Sequence, residues 1–135
     1  MLEYQIKASS KAGGSAFTIA NKTEIRFDAS SGRDDTLPNP AELLLMALAA
    51  CILKNVERYA GILHFPYRSA RISIKGQRND RPPMMQKIDY ILEIDTDVDD
   101  RKLQLWHKNI IKFGTISNTL AKATELNGII KKMYK

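Results

Sequence analysis

Apolar and polar residues alternate at the start of the chain. Leu2, Tyr4, Ile6 and Ala8 fall on one side, the period of two that marks a half-buried strand. Gly13-Gly14 predicts a turn, and residues 16–20 (AFTIA) predict a second strand. Asn21-Lys22 suits a tight hairpin into a third, with Thr23, Ile25 and Phe27 on one face. Residues 28–38, DASSGRDDTLP, form a loop of turn formers. That loop leads into the stretch around which the chain is arranged, Asn39 to Gly61, NPAELLLMALAACILKNVERYAG.

This stretch predicts one long helix. Asn39 is placed to cap it, and Pro40 suits the first helical position, where its missing N–H costs nothing. Glu42, three residues after the cap, is placed to reach back to it and faces the positive end of the helix dipole. Leu43 through Leu53 is apolar on every side, and Gly61 offers a left-handed residue to end the helix. A helix apolar all round has to be enclosed. It is too short for a bilayer, which needs about 20 apolar residues, so it predicts the central helix of a core.

Pro66 excludes helix from the crossing that follows. Ala70, Ile72 and Ile74 predict a fourth strand, and Ile88, Tyr90, Leu92 and Ile94 a fifth, with GQRNDRPPMM as a long hairpin loop between them. DTDVDD offers caps to an amphipathic helix with Leu103, Trp106, Ile110 and Phe113 inward, which Gly114 breaks. Residues 115–124 predict a short further helix with Ile116 and Leu120 inward. Leu126 to Tyr134 reads as a last strand, with a turn at Asn127-Gly128 as the alternative. Three strands, a long helix, two strands, two helices and a strand make an α+β class with antiparallel hairpins and the long helix laid on a sheet. The N-terminal strands alone would leave exposed edges, which a second copy of the chain would cover.

A chain of 135 residues, 44% of them hydrophobic, predicts one domain, residues 1–135, with a real core. The single cysteine, Cys51, rules out an internal disulfide and points to a reducing, cytoplasmic compartment. No signal-like or membrane-spanning segment is present in the sequence. The net charge of +6 is uneven: from Arg101 onward eight Lys or Arg stand against one acid, Glu125. No aromatics interleave these lysines, so they read as the solvated side of the last helices rather than as a nucleic-acid surface.

Cys51 is the first chemical candidate. A thiol becomes a nucleophile where a cation or a helix N-terminus favours its thiolate and substrate can reach it. Twelve residues past the cap, with Ala47, Leu48, Lys54 and Asn55 as helical neighbours, it has only Lys54 for local charge. From these residues alone it reads as a buried small hydrophobe. His64 and His107 lack any metal-ligand spacing with it. Asp95, Asp97 and Asp99 imitate the opening of a calcium loop, but Asp100 and Trp106 occupy its glycine and glutamate places, so no metal or cofactor is expected. Gly13-Gly14 lacks the lysine and the helix of a phosphate-binding loop.

NPAELLLMALAAC resembles the first motif, and KFGTISNTL the second, of the OsmC/Ohr family of osmotically inducible and organic hydroperoxide resistance proteins. The resemblance extends over nearly all of the chain, is nearest to the OsmC-like subgroup, and implies that fold, an intimate homodimer and sites built from both chains. It also implies that Cys51 is the thiol that attacks a hydroperoxide. The family's second, resolving cysteine falls on Gly114, its glutamate on Ala41 with Glu42 one place late, and its arginine on Ser15. A one-cysteine cycle follows, with a small external thiol as reductant and a cation such as Arg26, Arg33 or one from a partner subunit beside Cys51. Without such a cation each pKa unit upward costs about 1.4 kcal/mol of thiolate. Two alternatives stand beside thiol-dependent hydroperoxide reduction: a non-catalytic small-ligand binder and a basic nucleic-acid binder.

Overall fold

The structure, a computed structural model, describes residues 1–133. Tyr134, where the sequence places the end of the last strand, lies outside them. The chain divides into two compact units, Met1–Leu44 and Leu45–Lys135.

The first unit is an antiparallel sheet in the order β1 (Lys7–Ser10), β2 (Ser15–Ala20), β3 (Thr23–Asp28). The hairpin falls at Asn21-Lys22 as expected, with Asn21 at φ 56, the positive value a two-residue turn demands of its first residue. β1 begins later than the alternation predicts. Lys7 already pairs with Ile19 near the end of β2, and Leu2, Tyr4 and Ile6 extend beyond the hairpin, 81%, 82% and 63% exposed. Downstream, Asp28 organises the loop: its carboxylate accepts from the Ser30 hydroxyl and from the backbone N–H of Ser30 and Asp34. These bonds, the Ser30 hydroxyl foremost, lower its pKa.

The long helix α1 spans Pro40–Leu63. Its start follows the expected chemistry: Asn39 Oδ1 accepts from the Glu42 N–H at 2.8 Å, and the Asn39 N–H donates to Glu42 Oε1 at 3.1 Å. Its end does not. Gly61 remains helical, and His64 (φ 59) takes the left-handed position, with the Phe65 N–H donating to the Ala60 carbonyl at 2.9 Å. Phe65 and Ala60 are both buried, so the turn that buries Phe65 decides where the helix stops. Nor is α1 enclosed all round. Leu48, Ile52, Asn55, Val56, Tyr59 and Ala60 form one buried stripe, while Met46 is 53% exposed.

In the second unit, β4 (Ser69–Asp80) and β5 (Pro83–Asp95) are an antiparallel ribbon. The expected loop GQRNDRPPMM is mostly strand: pairing continues, with one irregularity at Gln77/Arg78, until only Arg81 and Pro82 turn the chain. α2 (Asp100–Lys112) starts at Asp99, whose side chain accepts from the Lys102 N–H. After α3 (Thr115–Leu120), β6 (Glu125–Lys132) returns parallel to β5 rather than as a hairpin arm, because two helices separate the strands. Asn127-Gly128 is strand, not turn. Gly128 lies opposite Tyr90, and a Cβ there would collide with the tyrosine ring. Ile88, Tyr90, Leu92 and Ile94 of β5 pack with Leu103, Trp106 and Ile110 of α2 and the buried stripe of α1. Trp106 donates from Nε1 to the Val56 carbonyl at 3.1 Å, tying α2 to α1. Together these residues are the core.

Candidate functional site

Cys51 lies three residues after Leu48 and four before Asn55, on the buried stripe of α1, and is itself half-buried and free. Its stripe position follows from the helical period: a residue at i+3 and i−4 from two buried ones shares their face. What meets it from across the core is the turn between α2 and α3. Gly114 is buried there with φ −84 and ψ 120, so nothing in its backbone requires glycine. The requirement is steric. A Cβ at 114 would stand 3.3 Å from Cys51 Sγ and 3.1 Å from the Ile110 carbonyl oxygen, and would collide with the Ser117 hydroxyl. Two positions 63 residues apart in sequence, Cys51 and Gly114, are thus spatial neighbours.

The surroundings of the turn are polar and fully engaged. Ser117 Oγ lies 3.1 Å from both the Ile111 and Gly114 carbonyl oxygens, its two acceptors. Asn118 Nδ2 donates to the Lys112 carbonyl at 3.0 Å, and Asn55 Nδ2 to the Ile110 carbonyl at 3.3 Å. Beside Gly114, Phe113 stacks on Tyr59 with ring centroids 5.6 Å apart, and Lys112 Nζ stands 5.2 Å from the Phe113 ring. Cys51, half-buried as a residue, meets this turn.

The other candidates are each placed within their own unit. Glu42 is bonded to Asn39 at the start of the helix, and nine residues of helix, about 13 Å at 1.5 Å per residue, separate it from Cys51. Arg26, on β3, and Arg33, paired with Asp35 at 2.7 Å, belong to the first unit, as does Ser15 at the start of β2. Lys54 is exposed on α1. His64 caps the helix end, and His107 Nε2 stands 2.6 Å from the Tyr90 hydroxyl. Among the described residues, no group of three or more His, Cys, Asp or Glu side chains is placed to hold a metal ion.

Sequence reading missed Asn55 and Ser117. Asn55 left a signal, a polar side chain inside a buried apolar stripe, which has to find a partner. Ser117 left none, because a serine near the start of a short helix is ordinary.

The sequence profile of the OsmC-like protein family matches residues 32–127. No protein of curated function matches the chain. Among solved structures, an OsmC-like protein from Mycoplasma pneumoniae superposes with a TM-score of 0.89 at 20% identity, covering 98% of this chain and 99% of that one. A putative osmotic stress induced and detoxification response protein from Psychrobacter arcticus gives 0.84 at 14% identity, covering 97% and 98%. The organic hydroperoxide resistance protein OhrB of Bacillus subtilis gives 0.71 at 14% identity, covering 95% and 98%. At these identities the likeness is one of fold.

Proposed function

Because the chain belongs to the OsmC-like protein family, we propose that it is a stress-response protein that reduces organic hydroperoxides through Cys51, with a small external thiol as reductant. The observation that carries the reading is the meeting of a half-buried Cys51 with Gly114: the attacking thiol faces the place of the family's second thiol, and that place has no side chain. Structural neighbours named as hydroperoxide resistance proteins support the substrate class.

The cycle balances with one cysteine. The Cys51 thiolate attacks the outer peroxide oxygen, an S–O bond forms, the O–O bond breaks, and the alkoxide leaves as the alcohol after taking a proton. Cys51 is then a sulfenic acid. An external thiol attacks its sulfur, an S–S bond forms and water leaves. A second thiol displaces Cys51 from the mixed disulfide, restoring its thiolate and releasing the oxidised reductant. The protein acts in the functional form of a homodimer, whose second chain supplies the cation that favours the thiolate.

Reduced protein treated with cumene hydroperoxide and weighed by mass spectrometry tests this. Cys51 should gain one oxygen faster than a free-thiol control, and Cys51→Ser should gain none. Oxidation of Cys51 no faster than the control rules the reaction out.

A further inference from the structure

An α-helix leaves its last four carbonyls without partners inside the helix, and a buried helix end has to satisfy them otherwise. In α2 these are the carbonyls of Asn109, Ile110, Ile111 and Lys112. Asn109 is served by the Phe113 N–H at 3.2 Å and Ile111 by the Gly114 N–H at 3.3 Å, both from the turn itself. Lys112 is served by Asn118, from the next helix. Ile110 alone is served from a distant element, by Asn55 of α1, one helical turn after Cys51. Asn55 is only 9% exposed, and an apolar residue of its size would fill the volume equally well. The donor is what the position needs, since an unpaired buried carbonyl costs about 1–3 kcal/mol.

The geometry links this bond to the sulfur. Helical side chains lean toward the N-terminus, so the Asn55 amide lies over the turn that carries Cys51. The carbonyl it holds is the one that stands 3.1 Å from a Cβ built at Gly114, and that same Cβ lies 3.3 Å from Cys51 Sγ. We infer that Asn55 is a positioning residue: by capping the Ile110 carbonyl it fixes the distance between the Gly114 turn and the Cys51 sulfur and offsets that carbonyl's negative end beside the thiolate. The inference rests on the reading of Cys51 as the reacting thiol.

Without the donor, the negative end of the Ile110 carbonyl is left uncompensated near the sulfur. The pH profile of Cys51 alkylation by iodoacetamide, followed by mass, measures this directly. Asn55→Leu should raise the midpoint of the profile by about half a pH unit or more and slow alkylation at neutral pH about threefold or more. Asn55→Asp, which sets a carboxylate on the same carbon skeleton, should raise it further and decides the matter if the leucine variant does not fold. Midpoints that superimpose on that of the unmodified protein, in variants whose circular dichroism is intact, overturn the inference. Iodoacetamide involves no peroxide. A protein that ignores cumene hydroperoxide while its Asn55 variants shift the alkylation midpoint would therefore lose the peroxidase reading and keep this one.

Discussion

Tyr90 and His107 show how a single part-buried pair can carry a pH dependence. The Tyr90 hydroxyl and His107 Nε2 are hydrogen-bonded at 2.6 Å, and burial lowers the His107 pKa by disfavouring the charged ring. The unfolded chain therefore binds this proton more readily than the folded one. Stability from the pair is fully present above the ordinary histidine pKa of about 6.5 and is lost as pH falls below it toward the lowered folded value. A fall in melting temperature between about pH 7.5 and about pH 5.5 is expected, and His107→Gln, which accepts but does not titrate, should flatten it. An unchanged slope in that variant would remove His107 as its source. The spacing of α2 put His107 on the helix surface and gave no sign of this bond, because Tyr90 meets it from a strand 17 residues earlier.

Among the elements, α1 was legible at one end and not at the other. Asn39, Pro40 and Glu42 act within one turn of each other, so their chemistry is local and the sequence displays it. Asn39→Ala should lower stability by about 1 kcal/mol in urea unfolding. A loss near zero would show that the helix start is held by something other than its cap. The far end was misread because Gly61 is a permissive residue, not a compulsory stop, and the burial of Phe65 overrides it. The ribbon β4–β5 taught the same lesson. Polar residues with two prolines read as a loop, yet the pairing of Arg78 with Met85 and of Asn79 with Met84 carries the strands through.

On the scale of the whole molecule, apolar side chains remain uncovered in both units. Beyond Leu2, Tyr4 and Ile6, these include Phe17, Ile19 and Ile25 of the first unit and Met46, Leu105 and Ile129 of the second. A second copy, the partner the family resemblance implies, is expected to cover some of them. Light scattering should give twice the chain mass, and removing residues 1–6, an overhang beyond the paired part of β1, should weaken association at least about tenfold. A monomeric mass for the intact chain would contradict the dimer and with it a cation supplied from a second chain.

The sequence by itself determined the order and type of the elements, the cap at Asn39, the break at Gly114 and, through two short motifs, the family. Each of these is written in neighbouring residues, by period, by cap or by motif. Tertiary structure alone decided that Gly114 faces Cys51, that Asn55 serves a carbonyl 55 residues away, and that β6 runs parallel to β5. These depend on which surfaces meet when helices pack on a sheet, and no local pattern encodes a meeting between residues so far apart along the chain.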